Sequence, residues 1–342
     1  MCTENNTENK EVKSKINKNG TVNNRKVAII GCGFVGSASA FALMQSALFT
    51  EMVLLDANEE KAIGEAYDIS HGIPFTRPMQ IYAGSYDDIA DAAIIVITAG
   101  ANQKPEETRL DLVHKNIAIF RSIIPEIVKR NFAGILLVVA NPVDILTYAA
   151  LKISGYPEHR VIGSGTVLDS ARLKAILGQH LSVDSRSVHA FIVGEHGDSE
   201  IAAWSSANIS GIPLDDFCEM RGHYNHVEST ERIAEEVRRS AYEIISRKGA
   251  TYYGIAMSVK RICEAIIRDE KSILPISTMM HGEYGIDDVV LSMPCIVGKD
   301  GYETKVPITL DQDEVTALHE SAATLKKVLD EALHAVDNKK DV

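Results

Sequence analysis

His196 stands in Gly194-Glu195-His196-Gly197-Asp198, at the end of a β-branched run and between small neighbours that would expose its ring. A carboxylate on one ring nitrogen would fix the tautomer and raise the pKa, leaving the other nitrogen to exchange a proton. Asp169, in Val167-Leu168-Asp169-Ser170-Ala171-Arg172, is the candidate partner. Asp169 and Arg172 fall at i, i+3 and share a helix face. Taken alone they read as an intrahelical ion pair worth well under ~1 kcal/mol. Taken with His196 they have separate partners: Asp169 orients the histidine, and Arg172 offers a guanidinium fork to a carboxylate.

Two further stretches carry polar chemistry. Residues 100–109 place a neutral hydrogen-bonding side chain, Gln103, and a single guanidinium, Arg109, on a polar loop expected to be mobile. Arg109 is either a solvated loop cation or a group that polarises a ketone as hydride arrives and the loop excludes water. Asn141-Pro142-Val143-Asp144 follows an apolar run; Asn141 can hydrogen-bond a reacting oxygen, and its bond to Pro142 has the minority chance of being cis.

A dinucleotide signal precedes these groups. Gly31-Cys32-Gly33-Phe34-Val35-Gly36 fits G-x-G-x-x-G between a strand and a helix, and Asp56 lies twenty residues past Gly36 at the end of the next strand. Gly31 permits the tight turn, Gly33 lets backbone approach a pyrophosphate, and Gly36 allows close helix–strand packing. Free amides at the helix N-terminus suit phosphates. Asp56 can accept from a ribose 2′-hydroxyl and would repel a 2′-phosphate, which favours NAD over NADP.

The elements that must position these residues alternate in the first half. Strands are expected at 26–30, 51–55, 79–83, 92–98 and 135–140, with helices at 34–49, 58–68 (Asn58 as N-cap) and 110–130. Strands apolar through their centres and alternating with helices signal a doubly wound parallel sheet. The later pattern is α+β: helices at 167–181, 230–248, 252–268 and 312–337, with strand-like runs at 188–193, 272–280, 289–297 and 303–308. The expected division is a polar, disordered arm at 1–24, a Rossmann NAD-binding domain at 25–163, a catalytic domain at 164–337 and a tail at 338–342.

The totals narrow the classes. A formal net charge of −12 with no Lys/Arg block argues against nucleic acid and anionic membranes as partners. No apolar run reaches membrane-spanning length, and the N-terminal segment lacks the apolar core of a secretory signal. Five scattered cysteines with no Cys-x-x-Cys argue against a disulfide framework or structural zinc, and for a reducing compartment such as the cytoplasm; no metal is expected.

The motifs at 31–36, 100–109, 141–144, 169–172, 192–198 and 249–255 together resemble, in order, those of the L-lactate/L-malate dehydrogenase family over about residues 25–335. Within it the chain is most similar to the bacterial L-lactate branch. The resemblance implies hydride transfer between NAD and a 2-oxo/2-hydroxy acid, pyruvate and lactate, in fermentative glycolysis. His196 would be proton donor and acceptor, Asp169 its partner, Arg172 the carboxylate anchor and Arg109 the carbonyl polariser, with Thr251 and Ile255 lining the pocket near the methyl group and nicotinamide. It implies cofactor contacts at Val35, Asp56, Lys61, Tyr86, Gly100, Ala101, Ser122, Asn141 and Ser164.

Two positions bear on variation within the family. A malate enzyme would need a cation at Gln103, and Glu106 stands where many relatives carry glycine, which bears on loop closure rather than chemistry. Bacterial relatives are often homotetramers activated by fructose 1,6-bisphosphate, and the implied effector positions are Lys174 and His189; the alternative is a surface lysine and an unrelated histidine. Two other readings compete: an enzyme for malate or a bulkier 2-oxo acid, and a dinucleotide-binding sensor that has lost chemistry. The second predicts damage at Arg109, Asp169, Arg172 or His196, and all four are present.

Overall fold

The computed structural model describes residues 21–101 and 108–337; Gln103 and Glu106 lie outside the described residues, as does the side chain of Arg109. Strands and helices alternate first: β1 (Asn23–Ile30), α1 (Phe34–Ser46), β2 (Glu51–Leu55), α2 (Glu59–Ser70), β3 (Gln80–Ala83), β4 (Ala92–Ile97), α3 (Arg109–Val128), β5 (Ile135–Val138), α4 (Val143–Ser154) and β6 (Val161–Gly163). The strands pair in parallel in the order β3-β2-β1-β4-β5-β6. Strand order reverses between β1 and β4, so the carboxyl ends of those strands open a crevice for ligand.

The second half holds α5 (Val167–Leu181), β7 (Val188–His189), β8 (Ile192–Gly194), β9 (Glu200–Ala202), β10 (Asn208–Ile209), β11 (Ile212–Pro213) and α6 (Leu214–Met220). It continues with α7 (His226–Lys248), α8 (Tyr253–Ile267), β12 (Ser272–His281), β13 (Asp287–Gly298), β14 (Gly301–Lys305) and α9 (Gln312–Asp337). The two halves share one sheet: β6 meets β12 through the single pair Gly163–Ser277, and β13, β8 and β9 follow antiparallel. Strands β7, β10 and β11 form a separate small sheet.

Alternation along β1 splits the core into two layers. Ala28 and Ile30 face Phe120, Ile124, Leu136 and Val138, whereas Val27 and Ile29 face Leu43, Met52, Leu54 and Val259. A third cluster, from Leu173 and Leu177 to Ile233 and Val237, binds α5 to α7 and the small sheet. Each fully buried side chain of this size contributes about 1.5–3 kcal/mol.

Besides short elements that were not expected (β6, β9, β10, β11 and α6) and a start of α7 at His226 rather than 230, the structure departs from expectation as follows. β1 begins at Asn23, so the end of the expected arm pairs with the sheet, Asn23 opposite Ala92. Helix α4, buried on nearly every face, was not anticipated. The run 188–193 is not one strand: β7 pairs with β10 and β8 with β9 and β13, so the chain changes sheets between them. The last strand starts at Gly301, where the two-residue turn Lys299-Asp300 closes the β13–β14 hairpin.

Candidate active site

The glycine turn leaves β1 at the reversal point. Gly31 has φ +102°, and a Cβ there would lie 2.5 Å from the Ala99 nitrogen, while a Cβ on Gly36 would sit 1.9 Å from the Gly31 oxygen. A Cβ on Gly33 would meet no protein atom within 4 Å. Two glycines are therefore demanded by the protein's own packing, and the third faces open space at the N-terminus of α1. That end of α1 has no side-chain cap. An anionic pyrophosphate fits such a place, because helix amides and the helix dipole favour negative charge there.

Asp56 ends β2 and locks the turn. Its Oδ2 accepts from the Cys32 amide at 2.6 Å and its Oδ1 from the Asn58 amide at 2.9 Å. A carboxylate has further lone pairs, so both oxygens can still accept from a ribose. Asn58 caps α2 through the Lys61 amide, which puts Lys61 in the first turn beside Asp56.

Asn116, fully buried on α3, joins the ends of β4 and β5. Its Oδ1 accepts from the Ala101 amide at 2.7 Å and its Nδ2 donates to the Asn141 carbonyl at 2.7 Å. Gly100 lies against Asn116 and Ala140. The Asn141–Pro142 peptide is cis, and Ser164 is buried after β6 with its amide on the Val138 carbonyl. On the other wall, Tyr252 stacks on Phe34, with ring centroids 5.4 Å apart, and Gly254 abuts Leu168. These contacts bring Thr251 and Ile255, ahead of and within α8, close to the starts of α1 and α5.

At the centre, Asp169 in the first turn of α5 is 2% exposed. Its Oδ2 lies 2.6 Å from Nδ1 of His196, and its Oδ1 accepts from Nη1 of Arg172 at 2.8 Å. Asp169 and Arg172 therefore do not have wholly separate partners, as expected above; one carboxylate bridges guanidinium and imidazole. The loop that carries His196 is fixed by a second aspartate. Asp144, in the first turn of α4, accepts from the His196 amide at 2.8 Å and the Ser277 hydroxyl at 2.6 Å. Neither Asp144 nor Asn116 was singled out from sequence. Asp144 lay inside a recognised motif, but Asn116 sits mid-helix with no local signal.

The charges are strongly coupled. Burial opposes the imidazolium of His196, but the Asp169 carboxylate outweighs it and pushes the pKa up to about 9, with Asp144 and Glu200 adding to the effect. Burial likewise favours a neutral Asp169, yet His196 and Arg172 hold it below the usual carboxylate range. Burial pushes Asp144 up to about 6 against its two donors. An imidazole so held carries a proton at neutral pH and can deliver it from Nε2 to an oxygen in the cleft.

Other residues named from sequence stand apart from this centre. Ser122 on α3 hydrogen-bonds its own helix at Ile119, and Tyr86 packs on the core with Arg130 over its ring at 5.5 Å. Lys174 on α5 lies over Phe191 at 5.5 Å, and burial lowers its pKa; His189 is exposed on β7.

Known proteins match this geometry along almost the whole described chain. The family described as lactate/malate dehydrogenase, NAD binding domain, matches residues 25–163, and the corresponding alpha/beta C-terminal domain matches 166–336. The L-lactate dehydrogenase of Acetivibrio thermocellus is 53% identical over 305 residues, covering 89% of this chain and 96% of that protein. That of Thermoanaerobacterium saccharolyticum is 53% identical over 304 residues, covering 89% and 98%. Among solved structures, the ligand-bound minor L-lactate dehydrogenase of Enterococcus mundtii superposes with a TM-score of 0.87 at 44% identity, covering 90% of this chain and 98% of that one.

Proposed function

The chain belongs to the lactate/malate dehydrogenase family, and from that premise we propose that it is an NAD-dependent L-lactate dehydrogenase. It reversibly reduces pyruvate to (S)-lactate. The carrying observation is the Asp169–His196 contact at 2.6 Å beside Arg172, together with a glycine turn after β1 whose middle glycine faces open space.

Each residue has a role in this reading. Gly31, Gly33, Val35 and Gly36 hold the pyrophosphate side of NAD, Asp56 takes the ribose hydroxyls, and Lys61, Tyr86, Gly100, Ala101, Ser122, Asn141 and Ser164 are further contacts. When bound, the cofactor supplies or accepts the hydride. Arg172 anchors the substrate carboxylate while keeping one N–H on Asp169. His196 gives a proton to the carbonyl oxygen in reduction and takes it back in oxidation. Arg109 polarises that carbonyl, Asn141 hydrogen-bonds it, Thr251 and Ile255 line the methyl end, and Gln103 leaves the far wall uncharged.

Assembly and place complete the proposal. Phe41, Tyr67 and Phe75 are large exposed apolar residues around α1 and α2, and Tyr242, Ile245, Tyr253 and Met257 form a second set on α7 and α8, which supports a homotetramer. Lys174 and His189 would hold fructose 1,6-bisphosphate as activator. The four described cysteines are free and buried, in keeping with a cytoplasmic, glycolytic role. NADH oxidation followed at 340 nm with pyruvate, oxaloacetate and branched 2-oxo acids tests the function. Pyruvate should give the highest kcat/KM; a clear preference for oxaloacetate or a branched acid contradicts it.

A further inference from the structure

Four carboxylates are buried around His196, and three are satisfied. Asp144 and Asp169 accept at both oxygens, and Glu195 takes the Ser199 hydroxyl at 2.5 Å. The fourth is Glu200, 8% exposed, whose Oε1 has no hydrogen-bond partner among the described residues. One polar side-chain atom from each of Asp169, His196 and Glu200 lies within 4.8 Å of the other two. Glu200 is also rigidly placed. It opens β9 opposite Gly194, and its amide donates to the Gly197 carbonyl at 3.1 Å, closing the loop that carries His196.

A buried acceptor without a partner destabilises a fold, and an ionised one does so severely. Folding alone therefore does not account for Glu200. We propose that Glu200 is a positioning residue that sets the acidity of His196: on the alkaline side its negative charge holds the proton on the imidazole and widens the pH range in which the oxo acid is reduced. This rests on the dehydrogenase reading above.

The surrounding charges agree with that role. α5 presents Asp169 and Arg172, the loop presents His196 and Glu195, α4 reaches His196 through Asp144, and α7 contributes Arg238. On α9, which packs against β9, the Glu314 carboxylate is taken up by the Ser205 and Asp311 amides. Burial, then the like charge of Asp169, push Glu200 up to about 8, while His196, Arg238 and Arg172 pull it the other way.

The test is the pH profile of kcat/KM for pyruvate in the Glu200→Gln and Glu200→Asp enzymes. Each limb is read against that enzyme's own acid-side plateau. In Glu200→Gln the alkaline limb should move toward acid by roughly one pH unit, the scale of a charge at this range. The acid limb of lactate oxidation should move the same way, and Glu200→Asp should return both toward wild type. An NMR titration of the His196 ring in the full chain gives a readout independent of turnover and should shift in parallel. Limbs and ring titration that superimpose on wild type overturn the proposal. If wild type does not reduce pyruvate at all, the dehydrogenase reading fails, while the ring titration still decides the link between Glu200 and His196.

Discussion

The proton affinity of His196 comes from residues on different elements: Asp169 on α5, Asp144 on α4 and Glu200 on β9. Sequence made Asp169 and His196 visible, because each stands in a short motif with a chemical reason. Asn116 and Glu200 were silent and Asp144 was visible only as part of a motif, because what matters is the contact of Asp144 with the His196 amide 52 residues on, of Asn116 with the Asn141 carbonyl 25 residues on, and of Glu200 with the Asp169–His196 cluster. Gln103 is the converse case, a residue whose type speaks to substrate. A closed pocket holding Arg172 and a second unpaired arginine would bury excess charge with a monoanion, at several kcal/mol. Gln103→Arg should therefore raise the kcat/KM ratio of oxaloacetate over pyruvate by at least tenfold. An unchanged ratio would remove Gln103 from the substrate wall.

Elements were legible where one face is wet. Helices α2, α5 and α9 alternate polar and apolar residues at helical spacing and appear close to their expected limits. Helix α4 hid because burial on nearly all sides erases that period. The strand run at 188–193 misled because β-branched residues mark strand character without saying which sheet receives it. The glycine turn gives a prediction at this scale. Gly33→Ala adds a methyl into open space, so it should keep the melting temperature yet weaken NADH binding at least tenfold. Gly36→Ala drives a methyl into the Gly31 carbonyl and should lose about 1–3 kcal/mol of stability by denaturant unfolding. Equal behaviour of the two variants would mean that Gly33 does not face the cofactor.

At the scale of the whole molecule, one sheet runs through both halves, and a single strand pair at Gly163–Ser277 joins them beside the buried Asp144. The site thus draws on both halves, with the cofactor turn in one and the His196 loop in the other. The division into a parallel and an antiparallel half was readable from the change in pattern, but the continuity of the sheet was not. Assembly belongs to this scale too. Light scattering should report four copies per particle, and fructose 1,6-bisphosphate should lower the apparent KM for pyruvate in wild type but not in Lys174→Ala. Saturation curves that coincide with and without the sugar bisphosphate near neutral pH would remove Lys174 and His189 as effector residues.

Proton transfer turns on one protonated imidazole held by one buried aspartate. Because kcat/KM reports the free enzyme, its pH dependence in both directions reads that group directly. Pyruvate reduction needs charged His196 and should fall as pH rises through about 9, whereas lactate oxidation needs the neutral ring and should rise over the same interval. In Asp169→Asn both limbs should move toward acid by a pH unit or more. Limbs that fail to mirror each other, or that stay in place when Asp169 loses its charge, would contradict proton exchange through an Asp169-held His196.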